Sequence, residues 1–473
     1  MSTLLVTAFA GCTTIHRAHE AQAEAEAYLA NGDVYVSAAD TTKQEVPEHG
    51  FPLSWYLKNP VLMRPSFRIA RLAVEDARLA LKEIDADAPI LSTTPWNAVD
   101  ISASGSYSEA SAGTTMGEGE WRTEGNPSAS LSLDILIYDF GRHAARAQAQ
   151  VERVLAAEES LVREGYTALT DLSSAYFTFA EKIALFEAAR TNENVYAVHL
   201  EQTKERFEAG EAKELDLLRA RLDLAQACEA VVASSNEVVS ARANFLHAVG
   251  VAYPELEVSA DRLEADLGLE ELVQAFAPSV WTKESAFTLA STNTPAMKIM
   301  RARLRATSSE VDRAIADLYP TISASLSLSW TDPLWYFRWG FNAVQSLFTG
   351  FRKTTAVDRA VIAMQSAEAD LAQAETDLRR DLELALSTRD TAREALRSAV
   401  ISLKTARENL ALVDAEYRLG EADRVEFSEA VRAVTEALGN RASAFYRAQK
   451  AEATLFALVG TSPRFSEKII VEQ

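Results

Sequence analysis

Cysteine is nearly absent. Cys12 and Cys228 are the only two, which excludes a disulfide framework and a cysteine-rich metal centre. Histidine is sparse and scattered: His16, His19, His49, His143, His199 and His247, with a His-x-x-His pair only at the first two. No phosphate-binding glycine loop and no Gly-x-Ser-x-Gly occurs, so nothing converges on catalysis and no cofactor or metal is expected. Basic residues are outnumbered, 47 Lys and Arg against 68 Asp and Glu, for a net charge of −21. That balance is the opposite of what a phosphate backbone attracts, so no nucleic acid partner is expected. No apolar run approaches the ~18 residues of a transmembrane helix. A β-barrel, built from short alternating strands, stays open.

Proline is missing where it matters most. None stands between Pro127 and Pro254 or between Pro333 and Pro463. Both gaps are rich in Ala, Leu, Glu and Arg, which favour helix. Leu169, Leu172, Tyr176, Phe179, Ile183 and Phe186 follow steps of three and four, and Leu396, Val400, Leu403, Leu410 and Tyr417 continue a similar stripe in the second gap. Such stripes are seams of helices packed side by side, or ordinary buried faces. Length separates the two. Residues 141–209 as one helix would reach ~100 Å at ~1.5 Å per residue, too long for the inside of a globular domain.

What is present is a duplication. A shift of 210 residues lays Tyr138 on Phe348, Arg142 on Arg352, Asp171-Leu172 on Asp381-Leu382, Gly210-Glu211-Ala212 on Gly420-Glu421-Ala422, and Val249-Gly250 on Val459-Gly460. Each copy opens with a helix (66–87 and 296–318), then a proline (Pro89, Pro320), then a stretch of period two. Leu131, Leu133, Ile135 and Ile137 alternate with Ser130, Ser132, Asp134 and Leu136; Ile322, Ala324, Leu326, Leu328 and Trp330 alternate with four serines. These are strands with one apolar and one polar face. Residues 101–107 and 337–348 are the expected partners, with Asp332-Pro333 in the second turn and a Gly/Thr/Glu-rich loop over 110–125. A long helix, a glycine turn and a shorter helix of about 40 residues complete each copy. The expected division is a leader over 1–11, an N-terminal segment over 12–65, repeats over 66–250 and 296–460, an equatorial linker over 251–295 and a tail over 461–473.

Residues 4–11 read LLVTAFAG and end at Cys12. An apolar run, small residues and then Cys form the pattern of a bacterial lipoprotein signal, which leaves the Cys to carry lipid. Phe9 stands where Leu is usual and nothing basic precedes the run; the alternative is an ordinary cysteine in a frayed terminus.

Four amphipathic strands cannot close a barrel, since membrane barrels begin at ~8. Either copies of the chain share one barrel, or the strands fold as a soluble sandwich. Trp335, Tyr336, Phe337, Trp339 and Phe341 suit a membrane interface belt or a plain core patch.

The layout over about 66–460 resembles the TolC-like outer-membrane efflux and export proteins, in particular their lipoprotein branch. The residues that carry the likeness are Tyr138-Asp139-Phe140-Gly141-Arg142 and two tip segments. Each tip has an aromatic (Phe207, Tyr417), a glycine three on (Gly210, Gly420), an acid six beyond (Asp216, Glu426) and an alanine four later (Ala220, Ala430). The resemblance implies a mainly α chain with inserted β: long antiparallel helical hairpins forming an α-barrel, and four strands per chain entering a trimeric transmembrane β-barrel. It implies a homotrimer in outer-membrane lipid that extends into the periplasm. Such a protein is a passive duct for efflux or type I secretion, joined by a periplasmic adaptor (a membrane fusion protein) to an inner-membrane pump of the RND or ABC type. The adaptor would meet Ala209, Gly210, Glu211 and Ala212 at one tip and Leu419, Gly420, Glu421 and Ala422 at the other. Glu426 and Glu429 would ring the pore. Asp216 and Tyr417 would hold the tunnel shut; the basic residue expected two after the second glycine is Ala422 here, with Arg424 as a substitute. The rival from the residues alone is a soluble periplasmic coiled-coil tether without a pore.

Overall fold

The structure, a computed structural model, describes residues 65–86, 99–112, 122–210, 213–249, 281–331, 334–419, 422 and 424–460, with Ala18 and Gln22 alone before them. Described elements follow in chain order: α1 Pro65–Ala86, β1 Val99–Ala112, β2 Arg122–Tyr138, α2 Arg142–Glu208, α3 Glu214–Val249, α4 Lys283–Asn293, α5 Pro295–Ala316, β3 Thr321–Thr331, β4 Leu334–Val344, α6 Arg352–Leu419 and α7 Arg424–Val459.

Each proline-free stretch holds one long helix and one of 36 residues. α2 has 67 residues and α6 has 68, each ~100 Å from end to end. Two shorter helices stand end to end beside each of them. α1 lies along the start of α2, where the Gln150 amide donates to the Ala77 carbonyl and Arg78 meets Glu158 at 2.7 Å. α3 lies along its far half, where Lys182 meets Glu237 at 2.8 Å. α5 and α7 sit in the groove between α2 and α6 and pack on both. Across α2 and α5 run the ion pairs Arg142–Asp317, Arg153–Glu310, Arg305–Glu152 and Lys298–Glu159, each worth ~0–1 kcal/mol. They align the helices more than they stabilise them. The chain is thus four columns wide: α1 with α3, then α2, then α5 with α7, then α6.

The four strands form one antiparallel sheet in the order β1-β2-β3-β4, the same order as the columns they join. Register sorts the faces. Ile101 stands opposite Leu133, which stands opposite Leu326, which stands opposite Trp339. One residue along, Ser102 stands opposite Ser132, then Ser327, then Arg338. A slip of one residue would exchange the faces. The second partner strand runs from Leu334 to Val344, earlier at both ends than 337–348. The expected loop over 110–125 is shorter too, since β1 reaches Ala112 and β2 starts at Arg122.

Burial concentrates midway along the columns, in two clusters that repeat each other. In one, Leu172 and Tyr176 of α2 pack against Phe245 of α3; in the other, Leu382 and Leu386 of α6 pack against Leu455 of α7. These are the same positions 210 residues apart. Burial pushes the Tyr176 hydroxyl well above the usual phenol range. α4 joins the second cluster through Ala286 and Ala290. It is the one described helix not expected from the sequence: eleven residues whose buried side is two alanines, started by a reciprocal cap between Thr282 and Ser285. Cys228 is half-buried and donates to a Glu193 carboxylate oxygen at 3.3 Å. That bond raises the thiol pKa, so it stays a thiol.

Candidate functional site

The Tyr138-Asp139-Phe140-Gly141-Arg142 junction has a plain physical basis. Asp139 is buried, and its carboxylate accepts from the Gly141 and His143 N–H groups at 3.2 and 2.6 Å, which satisfies the first turn of α2. Phe140 and Gly141 both take left-handed backbone, at φ 55° and 85°. The second copy repeats the device with the residues exchanged: Gly350 at φ 60° and Phe351 at φ 63°.

Above the junctions the sheet presents two unlike surfaces. On the polar one, serine hydroxyls bond across the strands: Ser102 with Ser132 at 2.6 Å, and Ser104 with Ser130 and Ser106 with Ser128 at 2.8 Å. Ser329 and Ser327 extend the rows on β3, and Ser325 accepts from the Asn342 amide at 3.2 Å. On the apolar side, Trp335, Phe337, Trp339 and Phe341 are between 66 and 71% exposed. The core-patch reading is therefore excluded. So is a belt at one depth, because the row climbs ~20 Å of strand at ~3.4 Å per residue. Tyr336 leaves the row and stands opposite Ser329 on the polar face.

At the opposite end of the columns lie the tips. α2 closes on Ala209, whose N–H reaches the Glu205 carbonyl, and Gly210 turns the chain at φ 79°, a left-handed position suited to glycine. The Asp216 carboxylate accepts from the Lys213 N–H at 3.3 Å, one half of a capping box for α3. Glu211, Ala212, Gly420 and Glu421 lie outside the described residues, as does Cys12. Leu419 ends α6 at 74% exposure. Ala422 is half-buried and its N–H reaches the Glu416 carbonyl at 3.3 Å. Arg424 opens α7. Glu426 and Glu429 are exposed on α7, while Phe427, Ala430 and Val431 beside them are buried.

Tyr417 and Asp216 make no hydrogen bond to each other among the described residues. Tyr417 instead stacks on Phe427 of α7, with centroids 5.2 Å apart and planes at 24°. His199 of α2 lies against both rings, 5.7 Å from Tyr417 and 5.2 Å from Phe427. The Arg206 guanidinium covers Tyr417 at 4.9 Å, within cation–π range. One stack therefore ties the ends of three helices. Sequence reading missed Arg206, His199 and Phe427 as a group. The only trace was the three-and-four spacing of Phe427, Ala430 and Val431.

A sector of long helices continuous with a sheet that is apolar on one face, hydroxylic on the other and, among the described residues, open at both edges has the form of a wall segment of a membrane duct. A family model described as outer membrane efflux protein matches residues 66–251 and 287–461, and the chain belongs to that family. It is an outer-membrane channel and not an enzyme. The membership decides against the tether. Among solved structures, CusC is similar at TM-score 0.73 and 18% identity, covering 86% of this chain and 92% of that one. Campylobacter jejuni CmeC follows at 0.71 and 15%, covering 88% and 87%. The open state of Neisseria gonorrhoeae MtrE follows at 0.70 and 17%, covering 88% and 90%. No curated protein matches the sequence.

Proposed function

We propose that three copies of this chain close into one duct, a twelve-strand barrel in the outer membrane continuous with a tunnel of twelve helical columns in the periplasm. One observation carries the reading: both edges of the sector are unfinished, and they are the same two edges in the sheet and in the helices. Among the described residues β1 and β4 each lack a neighbour on one side. On the β1 side, Ile69 and Leu72 of α1 and Leu218 and Leu222 of α3 are exposed; on the β4 side, Ile362, Leu384 and Leu412 of α6 are exposed. Open strand edges in lipid leave backbone groups unpaired, so another copy must supply the missing neighbour.

The tips, Ala209, Gly210, Glu211 and Ala212 with Leu419, Gly420, Glu421 and Ala422, meet a periplasmic adaptor, and through it an RND- or ABC-type inner-membrane pump. Glycine turns let a partner backbone approach closely, and an exposed Leu419 offers apolar contact. Glu426 and Glu429 face the axis at the narrow end, with Asp216, Tyr417 and Arg424 framing it. Purified from outer membranes in mild detergent, the wild type should have the mass of three chains and retain its adaptor. Leu419→Arg should keep the mass and lose both adaptor and efflux. A one-chain mass for the wild type would end the ring; an unaffected Leu419→Arg variant would end the tip assignment alone. Cys12 carries the lipid anchor in this reading. Labelled palmitate should enter the wild type and not Cys12→Ser, and equal labelling of the two removes the anchor.

A further inference from the structure

On the hydroxyl face of the sheet the strands are unlike. β1, β2 and β3 present mostly short, neutral side chains there, and the hydroxyls of β1 and β2 are spent on each other. β4 presents long ones. The row that runs through Ser132 and Ser327 ends in Arg338, and the next row, through Ser130 and Ser329, ends in Tyr336.

Among the described side chains of this face two carry charge, Asp134 and Arg338, and both are exposed. They do not pair. Asp134 stands opposite Ser325, and Ser325 opposite Gly340. Arg338 is therefore two strands across and two residues along from Asp134, about 12 Å between backbones. Among the described residues Arg338 makes no hydrogen bond or ion pair. Arg142, Arg153 and Arg305 of the columns, by contrast, each hold a carboxylate. Gly340, next on the same face of β4, has open space where a Cβ would go, so that flank leaves the guanidinium unrestrained. The fold makes no use of this charge.

We propose that Arg338 sets the charge preference of the barrel lumen: three copies form a guanidinium ring that favours anionic groups (carboxylate, phosphate or sulfonate) on the cargo that passes it. The proposal rests on the duct reading, which turns the hydroxyl face to the lumen because the other face is apolar. Twelve strands ~4.8 Å apart and tilted ~40° enclose a lumen ~24 Å across from backbone to backbone. The axis is then ~12 Å from the wall, and a guanidinium stands inward of that wall. Screening at physiological salt acts over ~8 Å, and the surrounding lipid is a low-dielectric wall that focuses the field. The serines supply no competing charge at this height. Asp134, with Asp100 at the register position opposite it, lies one row nearer the helices. The lumen thus carries two bands of opposite sign ~7 Å apart. Outbound cargo meets the carboxylates first and the guanidiniums second. Arginine stays charged at any working pH, so the second band does not titrate away.

Thiol chemistry reads the potential at each band. In a Cys228→Ser background, in outer-membrane vesicles at ~10 mM salt where screening acts over ~30 Å, Ser327→Cys samples the Arg338 row and Ser325→Cys the Asp134 row. Each is treated with an anionic (sulfonatoethyl) and a cationic (trimethylammonioethyl) methanethiosulfonate. The ratio of the two rates cancels the reactivity of the thiol itself. The anion-to-cation ratio should be several-fold higher at 327 than at 325. Arg338→Gln should lower the ratio at 327 several-fold, and Arg338→Lys should keep it. The same ratio at 327 with arginine and with glutamine overturns the ring and leaves the barrel standing. Trp339→Cys, on the apolar face, tests the reading beneath: it should resist both charged reagents and accept a lipid-soluble maleimide. Reaction of 339 with the charged reagents takes the strands out of the membrane, and the ring with them. A Ser327→Cys thiol that neither charged reagent reaches takes the hydroxyl face out of the lumen, with the same result.

Discussion

Glu426→Gln combined with Glu429→Gln should reduce the cation preference of the open channel about tenfold, read as the reversal potential across a planar bilayer under a salt gradient. The two carboxylates stand three residues apart on α7, both exposed, beside a buried stripe of Phe427, Ala430 and Val431. Three copies would place six negative charges around one narrow ring. Isolated surface charges are screened within ~8 Å at physiological ionic strength, but a like-charged constriction with low-dielectric walls focuses potentials of several kT, and a factor of ten is ~1.4 kcal/mol. Glutamine keeps size and helix register, so the loss would belong to the charge. Glu426 also lies in the first turn of α7, where a negative charge stabilises the helix by about 0.3–1 kcal/mol. That is a small loss for 36 residues packed on two neighbours. An unchanged reversal potential would take these residues off the pore axis.

Much of this architecture could be read from the chain because it rests on periodicity, which is local. Alternating Ser and Leu over 130–137 and 322–330 specify two faces without knowledge of the neighbours, and the register then stacks Ser on Ser and Leu on Leu. The long helices follow from absent proline, and the duplication from glycines at constant offset. What could not be read depends on contacts between distant residues. That β2 pairs with β3, uniting the two hairpins in one sheet, joins residues about 200 apart, and nothing in either strand states it. The Arg206–Tyr417–Phe427–His199 stack draws on three helices. Asp216 looked like a member of a closing contact by position, yet its carboxylate is turned to the Lys213 N–H. α4 escaped because only Ala286 and Ala290 of its eleven residues are buried, with Phe287 partly so, too few to print an apolar stripe. The early end of β4 at Val344 escaped because Phe348 aligns with Tyr138, the last residue of β2.

Gly460→Ala should be the most damaging single methyl added to the described glycines. α7 ends at Val459, and Gly460 reverses the chain at φ 69°. A Cβ there would lie 3.0 Å from backbone atoms of Asn293 and Thr294. Neither neighbour can yield, because the Thr294 hydroxyl donates to the Leu458 carbonyl at 3.1 Å and the Tyr166 hydroxyl donates to the Gly460 carbonyl at the same distance. Two costs therefore add: about 1–2 kcal/mol for a left-handed alanine and about 1–3 kcal/mol for overpacking against rigid backbone. Gly210→Ala separates them. Gly210 has φ 79° but open space where its Cβ would go, so it bears the first cost alone. Followed by helix ellipticity on heating in one detergent, Gly460→Ala should melt well below Gly210→Ala, which should melt slightly below the wild type. Coincident melting of the two variants would mean that the joint between α7 and the α4–α5 corner gives way freely.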